Sequence, residues 1–496
     1  MSSARTTDVL IVGAGPTGLM LAVVLARLGV DHILVDGKSG PTTESRALGV
    51  QARTLEIYEQ LGLVDEVLAN GTKADAISPG FRKRVFATIP FVILGATFTR
   101  YPFMQMFEQN KNEALLGDAL RRLGGEVLWN RSLEGLEVAA SSVDGADRPV
   151  TATLSGGVTV TARYVVGADG ASSPVRRMRD IGFEGTTSAH TFYVIDAAEV
   201  HGLPDTSINV RLGATDFLLG FPMGQGQDAR LVGVVPGELH NSSDAPLRER
   251  IAGFGVAWGA TRWLSTYQVH HRLAERFRDG PVFLAGDAAH VHSPVGAQGM
   301  NTGLQDAHNL ACKLADVLQG RADDSYLDRY DAERRPVAKH IIDFTERAFE
   351  NAITDNRVRR FVVRTLLPVV APIIAFLMPR VPLGRRVFGY VSQTRIHYPM
   401  PPASDARRRR DPVIGRRLPP FDSNHEALRS FTWQVHTYGS VDRASAALVG
   451  LPVHAFPTPV GTPLRDGWMY LVRPDGFVAA AGVTAEPLVE ALPWHP

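Results

Sequence analysis

The stretch DVLIVGAGPTGLMLAVVLARLGVDHILVDG, from Asp8 to Gly37, decides the fold of this chain. It begins with an apolar run short enough for a buried strand and continues through a glycine turn into a segment of helical length that ends at Gly29. A second apolar run, from His32 to Val35, has the length and composition of another strand. The order strand, helix, strand predicts a βαβ unit and places the chain in the α/β class.

Three glycines in the turn follow the G-x-G-x-x-G pattern, at Gly13, Gly15 and Gly18, and Asp36 follows the second strand. The first glycine permits the tight turn, the second lets a pyrophosphate approach the backbone, and the third lets the helix pack closely on the strand. The helix N-terminus would face the phosphates with free N–H groups, and Asp36 would bind a ribose hydroxyl pair. The unit therefore predicts a dinucleotide site. FAD and NAD both use such a unit, although the carboxylate argues against a 2′-phosphorylated ribose at this position.

Composition describes an ordinary globular chain. Its 496 residues are 45% hydrophobic and 21% charged, which suits one large core and predicts two or three domains. Lys and Arg number 52 against 51 Asp and Glu, so the net charge of +1 gives no broad electrostatic reason to expect a nucleic acid or an anionic membrane as partner. We interpret the basic run Arg407 to Arg410 as a solvated linker.

Cys312 is the single cysteine, which excludes an intrachain disulfide and a cysteine-based zinc site and fits a reducing compartment. We therefore expect a cytoplasmic protein. Val9 to Ala26 is uncharged and close to the length of a membrane span, but its glycines and Pro16 interrupt it. No basic segment followed by a cleavage site accompanies it, so we expect neither a signal peptide nor a membrane anchor.

Further elements follow from periodicity and from turn residues. The apolar segment Leu366 to Pro379 is too short to span a bilayer, and we expect buried helical packing or a subunit contact there. The tail reads as a small third domain, with a hairpin turn at Pro474 to Gly476. The predicted helices are 52–68, 109–123 and 300–318, the predicted strands are 126–128, 151–154 and 158–166, and residues 182–269 read as an antiparallel sheet that walls a small-molecule site.

Two further motifs are YVVGADGASSPVR, Tyr164 to Arg176, and FLAGDAAHVHSPVGAQGMNTG, Phe283 to Gly303. Together with the N-terminal glycine pattern they resemble the three signatures of single-component (class A) FAD-dependent aromatic hydroxylases with the p-hydroxybenzoate hydroxylase fold. The resemblance runs from Asp8 to about Lys339. It implies FAD as cofactor, NADPH or NADH as reductant, and a Rossmann-like FAD domain interleaved with an antiparallel-sheet substrate domain.

The tail resembles the thioredoxin-like C-terminal domain of phenol hydroxylases and of members that modify polyketides and antibiotics. It has no Cys-x-x-Cys pair, so we expect a structural role for it. The resemblance implies an FAD-binding domain over 1–80, 105–180 and 276–345, a substrate-binding sheet domain over 81–104 and 181–275, a helical connector over 346–400 and the thioredoxin-like domain over 401–496.

The same resemblance assigns site residues. Gly13, Gly15, Gly18 and Asp36 would hold the ADP half of FAD, Arg46 and Gln109 would contact its pyrophosphate and ribitol region, and Asp287 would bind the ribitol hydroxyls. Asp169 and Arg176 belong to a motif associated with both FAD and NAD(P)H, which fits the lack of a second G-x-G-x-x-G unit in this sequence.

The loop from Pro294 to Asn301 is expected to serve the reduced flavin. Two-electron reduction places negative charge on the N1–C2=O edge of the ring, and a helix starting at Gly299 and Met300 would direct free N–H groups at it. Gly296 and Gly299 let the backbone approach the ring. Pro294 would lie close to the face where O₂ adds to give the C4a-hydroperoxyflavin of this family, and a dry pocket would keep that species from decaying to peroxide.

The implied function is a monooxygenase that inserts one atom of O₂ into a phenolic or polyketide-type aromatic substrate. A Baeyer–Villiger or other flavin-dependent oxidation and a non-catalytic FAD-binding protein stay open, as do a monomer and a homodimer. The candidates for a substrate-activating base are Tyr193, Tyr267, His270 and His271, unranked. We reject a metal site built from Asp287, His290 and His292, because no third-ligand pattern such as H-E-x-x-H accompanies the two histidines. A hydrolase would need a G-x-S-x-G elbow, which the sequence lacks.

Overall fold

The computed structural model describes residues 4–43, 45, 47–139, 148–213, 215–224, 226–236, 244–294, 296–353, 362–377, 382–400 and 411–494. Its strands are β1 Ala4–Val12, β2 His32–Val35, β3 Gly49–Val50, β4 Thr72–Ala74, β5 Ala76–Phe81, β6 Arg84–Val85, β7 Ile89–Pro90, β8 Met104–Met106, β9 Val127–Leu128, β10 Leu133–Val138, β11 Val150–Leu154, β12 Val158–Gly167, β13 Phe183–Ala197, β14 Ser207–Leu212, β15 Phe217–Pro222, β16 Ala229–Pro236, β17 Thr261–Ala274, β18 Arg278–Asp279, β19 Val282–Leu284, β20 His290–Val291, β21 Gln434–Tyr438, β22 Val453–Phe456, β23 Trp468–Val472 and β24 Val478–Gly482.

The α-helices are α1 Pro16–Arg27, α2 Ala52–Leu61, α3 Val64–Asn70, α4 Phe91–Gly95, α5 Gln109–Arg122, α6 Pro174–Met178, α7 Ala245–Ala252, α8 Gly299–Leu318, α9 Asp328–Ile353, α10 Leu367–Leu377, α11 Pro382–Val391, α12 Asn424–Ala427, α13 Arg443–Ala447 and α14 Glu486–Val489. Short 3-10 helices cover Gly286–Ala288, Asp324–Leu327 and Leu428–Ser430, and a π-helical turn covers Val362–Leu366.

The N-terminal βαβ unit forms as predicted. Strands β1 and β2 are parallel, with Val9 opposite His32 and Val12 opposite Val35. On the other side β1 pairs in parallel with β12, and β12 pairs in parallel with β19. The sheet order is β10-β11-β12-β1-β2-β9, with β19 also beside β12 and β18 beside β19. The carboxyl ends of β1, β2, β12 and β19 therefore meet at one edge, which is where ligands bind in sheets of this type.

Helices α1 and α8 pack against each other beside this sheet, and the largest apolar core lies between them and the strands. Every residue from Asn301 to Val317 of α8 is buried. The predicted helix 52–68 is wrong in one respect, because it is two helices, α2 and α3. Gly62 ends α2 with a left-handed φ of +76°, a conformation that most residues avoid, and the chain turns there.

The predicted antiparallel sheet over 182–269 is present, with the order β20-β17-β13-β16-β15-β14-β5-β6 and β7 beside β5. Strand β5 lies parallel to β14, so Ala76–Phe81 also belongs to this sheet. Alternate residues face opposite sides of a strand. On β13, Tyr193 and Ile195 pack on the side of α7, whereas Phe192 and Val194 pack on the opposite side. That opposite side faces the parallel sheet.

The segment after α9 departs from the prediction of buried packing. Helix α10 covers most of Leu366 to Pro379, but Val369, Ile373 and Phe376 are 65%, 54% and 63% exposed. Buried packing is therefore wrong for these side chains, and a subunit contact stays a prediction. The basic run Arg407 to Arg410 lies outside the described residues.

The tail forms a sheet of its own with the order β22-β21-β23-β24. Strands β21 and β22 are parallel and are connected by α13. Strands β23 and β24 form the antiparallel hairpin predicted around Pro474 to Gly476. Its thioredoxin-like character stays a prediction, as do the domain boundaries. Of the helices in the described ranges, none has the length and apolarity needed to cross a membrane.

Candidate functional site

A cavity of about 1100 Å³ lies between the carboxyl edge of the parallel sheet and the inner face of the antiparallel sheet. The loops that follow β1, β2, β12 and β19 line its first half, because parallel strands end at the same edge. Strands β13, β15, β16 and β17 line its second half. Among the residues singled out in the sequence, it brings together Gly13, Gly15, Asp36, Gln109, Asp169, Asp287, Pro294, Gly299 and Met300, with Tyr267 and His270 at the opposite wall.

The glycine turn has the shape that a pyrophosphate requires. A Cβ on Gly13 would lie 2.3 Å from the carbonyl oxygen of Ala168, and one on Gly18 would lie 1.8 Å from that of Gly13, so neither position has room for a side chain. A Cβ on Gly15 would meet no protein atom within 4 Å. Because Gly15 lines the cavity at the N-terminus of α1, the open space beside it is where backbone N–H groups can meet a phosphate.

Asp36 is held at the rim of the same turn. Its Oδ2 accepts a hydrogen bond of 2.7 Å from the backbone N–H of Ala14, and its Oδ1 accepts one of 2.8 Å from that of Lys38. These bonds fix the carboxylate at the end of β2, beside the cavity. The position fits the ribose-binding role expected of an acid after the second strand.

Gln109 starts α5 at the cavity wall. Its backbone N–H donates to Ser45 Oγ at 2.9 Å, and its side-chain Nε2 donates to Glu113 Oε1 at 3.0 Å. The segment before β3 is thereby attached to the start of α5. Arg46, predicted to work beside Gln109, lies outside the described residues.

Asp169 and Arg176 have different environments. Asp169 lines the cavity, its Oδ2 accepts a hydrogen bond of 3.0 Å from the N–H of Val175, and its buried Oδ1 has no hydrogen-bond partner among the described residues. Burial raises the pKa of this carboxyl above its usual range. Arg176 is outside the described lining of the cavity. Its guanidinium donates to the carbonyl oxygens of Ala171 and Ala288 at 2.8 and 2.9 Å, so it holds the two loops together from behind.

Asp287 lies in the 3-10 helix after β19 and is exposed towards the cavity. The backbone on either side of it is anchored. The N–H of Gly286 donates to Asp306 Oδ2 at 3.1 Å, and the carbonyl of Ala288 accepts from Arg176. The carboxylate therefore has a fixed place from which it can accept hydrogen bonds from a polyol chain.

The loop before α8 has backbone angles that few residues adopt. Gly296 has a φ of +86° and Ala297 one of +53°. The first hydrogen bond of the helix runs from the N–H of Thr302 to the carbonyl of Gln298 at 2.9 Å, and no side-chain hydrogen bond caps the helix. The N–H groups of Gly299, Met300 and Asn301 thus have no acceptor within the helix. Because Gly299 and Met300 line the cavity, the positive end of a 20-residue helix faces it.

Asn301 fixes this helix start without its side chain lining the cavity. Its Nδ2 donates to the carbonyl oxygens of Gly49 and Ala297, and its Oδ1 accepts from the N–H of Gln51, all at 2.8 Å. The side chain is fully buried. Asn301 therefore joins the loop before α8 to β3 and positions the backbone that faces the cavity.

The two histidines after Asp287 have different surroundings. His290 Nε2 lies 2.7 Å from Asp306 Oδ2 in the buried core, whereas His292 lines the cavity. His292 Nδ1 lies 2.8 Å from the carbonyl oxygen of Ser293, and its buried Nε2 has no partner among the described residues. A carbonyl can only accept, so Nδ1 carries the proton and Nε2 presents a lone pair. Residue spacing in the sequence gives no sign of this acceptor.

Of the four candidates for a substrate-activating base, two line the cavity and two lie outside its described lining. Tyr193 is buried on the α7 side of the antiparallel sheet, and His271 is outside the described lining of the cavity. Tyr267 and His270 line it. His270 Nδ1 lies 2.9 Å from Thr187 Oγ1, and the ring of Tyr267 stacks on Phe192 with 6.0 Å between centroids.

Comparison with known proteins gives the family. The model of the FAD binding domain family matches residues 6–345, which contain the glycine turn, the Asp169 motif and the helix start at Gly299. The chain belongs to this family of FAD-binding proteins. FAD is therefore its cofactor, and the open space at Gly15, the polar groups of the first half of the cavity and the helix start fit that group.

The similar proteins are monooxygenases and a hydroxylase. An uncharacterized aromatic compound monooxygenase of Bacillus subtilis is 32% identical, over 96% of this chain and 94% of the relative. The 12-dehydrotetracycline 5-monooxygenase/anhydrotetracycline 6-monooxygenase of Streptomyces rimosus is also 32% identical, over 98% of both chains. Among solved structures, the OxyS anhydrotetracycline hydroxylase of Streptomyces rimosus superposes with a TM-score of 0.77 at 28% identity, over 98% of both chains.

Proposed function

We propose that this chain is an FAD-dependent, NAD(P)H-consuming monooxygenase that inserts one atom of O₂ into an aromatic substrate of the phenolic or polyketide type. The observation that carries the proposal is that one cavity joins a dinucleotide cradle, an uncapped helix start and an apolar sheet wall. Bound FAD supplies the two-electron transfer and the activation of O₂, neither of which amino-acid side chains perform well alone. The relatives with aromatic and tetracycline-type names support this class of substrate.

The chain's own residues bind and orient the reactants. Gly13, Gly15 and Asp36 would hold the ADP half of the cofactor, and Asp287 its polyol chain. The N–H groups of Gly299 and Met300 would stabilise negative charge on the cofactor ring, because they are fixed before the charge develops. The apolar strands opposite would exclude water from the reacting atoms.

His292 would act on the substrate side as a hydrogen-bond acceptor. Burial lowers its pKa to about 4, so its Nε2 keeps a free lone pair at neutral pH. With so low a pKa it is too weak a base to remove the proton of a phenol. It would instead accept a hydrogen bond from the substrate and orient it, with His270 and Tyr267 as the other polar groups of that wall.

The experiment is a turnover assay on the FAD-loaded enzyme with a panel of phenols, naphthols and polycyclic phenols. NADPH and NADH oxidation, peroxide and product are measured together. We expect substrate-dependent NAD(P)H oxidation with more hydroxylated product than peroxide. Bound FAD with no NAD(P)H oxidation against the whole panel would favour a non-catalytic FAD-binding protein. Product NMR separates hydroxylation from Baeyer–Villiger insertion, since both add one oxygen atom.

The proposal also covers the cellular location and the oligomeric state. We expect a cytoplasmic enzyme, because Cys312, the single cysteine, is a buried thiol. We expect a monomer or a homodimer, and the exposed apolar side chains of α10 are the place to look for a subunit contact. Sedimentation equilibrium of the full chain decides the second point.

A further inference from the structure

A row of four side chains crosses the cavity-facing side of the antiparallel sheet. On neighbouring strands, Asp196 lies opposite Arg230 and also opposite Trp263, and Arg230 lies opposite Phe221. Directly opposite residues on adjacent strands face the same side of a sheet. Arg230 and Phe221 line the cavity, so this row forms one end of the sheet wall that would contact the substrate.

The two charged members of the row neutralise each other. Arg230 Nε lies 2.6 Å from Asp196 Oδ1, and Arg230 Nη2 lies 2.7 Å from Asp196 Oδ2. This is the bidentate geometry in which a guanidinium and a carboxylate bind most strongly. The Arg230 side chain is 2% exposed, and its guanidinium carbon lies 5.6 Å from the centre of the Trp263 ring. Both the charge and the directed donors of Arg230 are therefore engaged along the row.

The next residues of the wall are apolar. Val194 lies opposite Val232 in the row above, and both line the cavity. Tyr267 and Val269 continue the lining on β17, and the ring of Tyr267 is close to parallel to that of Phe192, with 21° between the planes. A flat sheet face with these side chains offers dispersion contacts and apolar burial to a planar ligand.

We infer that this wall selects an uncharged planar aromatic substrate and rejects aromatic carboxylates, because Asp196 occupies the guanidinium of Arg230 from within the protein. The inference rests on the proposed function and specifies its substrate class. A ligand carboxylate next to Arg230 would have to displace Asp196, whose side chain is 18% exposed, and would leave one of the two carboxylates largely buried without a counter-charge. Breaking a buried ion pair in this way is strongly unfavourable.

The other ionisable side chains of the substrate half do not offset this. His292 is neutral at pH 7, and His270 Nδ1 is engaged with Thr187 Oγ1. Asp36, Lys38, Arg131, Asp169 and Asp287 line the opposite half, where the cofactor binds. Within the described lining of the substrate half, Arg230 is thus the side chain that could supply a counter-charge to an aromatic carboxylate.

The test compares hydroxynaphthoate with its methyl ester, which differ by one negative charge on the same ring system. Each is titrated into the FAD-loaded enzyme at neutral pH, and the dissociation constant is read from the change in the flavin absorption spectrum. We expect the wild-type enzyme to bind the ester roughly 10-fold or more tightly than the acid. Equal binding, or tighter binding of the acid, overturns the inference.

Asp196→Asn provides the decisive variant, since it keeps the shape of the side chain and releases the charge of Arg230. It should strengthen binding of the acid roughly 10-fold or more, because charged hydrogen bonds become available to the ligand, and change binding of the ester by less than about 3-fold. The double variant Asp196→Asn/Arg230→Gln should lose the gain for the acid and retain the ester. A gain that persists without Arg230, or no gain in the single variant, overturns the inference.

Asp228→Asn is the matched control. Asp228 also pairs with an arginine of this sheet, Arg262, at 2.7 Å, but it is outside the described lining of the cavity. Its substitution should leave both dissociation constants unchanged, and a selectivity switch there would overturn the role of Asp196. NAD(P)H oxidation is measured in parallel. Ester selectivity without any stimulation of NAD(P)H oxidation would contradict the proposed function, whereas stimulation without selectivity would contradict only this inference.

Discussion

Gly15 offers a substitution that separates cofactor binding from folding. Its backbone angles, φ −80° and ψ −175°, are open to any residue, and an added Cβ would meet no protein atom within 4 Å. Gly15→Ala should therefore leave the apoprotein folded, with a free energy of unfolding equal to or slightly above that of the wild type, because alanine reduces the entropy of the unfolded chain. The added methyl group instead enters the space at the N-terminus of α1 that we assign to the pyrophosphate.

The expected loss of affinity follows from the hydrogen bonds that the methyl group displaces. A hydrogen bond from a backbone N–H to a charged phosphate contributes about 1.5–3 kcal/mol. Loss of one such bond corresponds to a roughly 10- to 100-fold rise in the dissociation constant of FAD. The assay is titration of FAD into apoprotein, followed by quenching of flavin fluorescence, together with urea unfolding of the same apoprotein.

Gly117→Ala is the matched control, because a Cβ there also meets nothing within 4 Å but the residue lies within α5. It should stabilise the protein by about 0.5–1 kcal/mol and leave FAD binding unchanged. Gly18→Ala is the opposite case, since its Cβ would lie 1.8 Å from the carbonyl oxygen of Gly13 and should lower both stability and affinity. Wild-type affinity in Gly15→Ala would refute the assignment of the pyrophosphate to this turn.

The remaining predictions concern the polyol anchor, the helix start and acid stability. Asp287→Ala should weaken FAD retention roughly 10-fold or more through loss of charged hydrogen bonds, and retention like that of the wild type after dialysis would show the carboxylate to be misplaced. Asn301→Ala removes three buried hydrogen bonds and should lower the free energy of unfolding by about 2–4 kcal/mol in urea, with more peroxide per NAD(P)H because the helix start is displaced. Burial lowers the pKa of His292 to about 4 and that of His308 to about 3. Below pH 6.5 the unfolded chain therefore binds more protons than the folded chain, and the free energy of unfolding falls as the pH falls. At pH 4 the loss amounts to about 3 kcal/mol for each group. His308→Gln should make the unfolding free energy depend less steeply on pH between 6.5 and 4, and an unchanged slope would contradict the lowered pKa.

The first half of the site could be predicted from sequence because short-range rules determine it. One βαβ unit contains Gly13, Gly15, Gly18 and Asp36. Their spacing predicts which positions lack room for a side chain and where the acid lies. The helix start at Gly299 could be predicted for the same reason, since an apolar stripe beginning after glycines marks a helix N-terminus.

The second half depends on strand register, which local patterns leave open. Nothing in the sequence places Asp196 opposite Arg230, because the pairing joins distant strands and a shift of one residue would reverse every side chain. Two of the four base candidates, Tyr193 and His271, lie outside the described lining of the cavity for this reason, since Tyr193 is one residue from the cavity-facing Val194 yet lies on the other side. His292 was missed because the direction of its Nε2 depends on Ser293 and on the loop, and not on spacing.

The position of the Arg176 side chain could not be predicted from its motif. Its motif indicated contact with nucleotides, whereas its guanidinium holds the carbonyl oxygens of Ala171 and Ala288 behind the wall. For the apolar segment of α10 the sequence leaves buried packing and a subunit contact both open, because hydrophobicity alone does not say which surface covers it.

The central claim is that this chain transfers one oxygen atom from O₂ to an aromatic substrate at the cavity between the two sheets. The most direct measurement is mass spectrometry of the product formed by the FAD-loaded enzyme with NADPH, under O₂ labelled with the heavy isotope, across neutral phenols and naphthols. We predict a product that carries one labelled oxygen atom, and carries none when the label is in water. A product without label from O₂, or NAD(P)H oxidation that yields peroxide alone with every compound, would contradict the account.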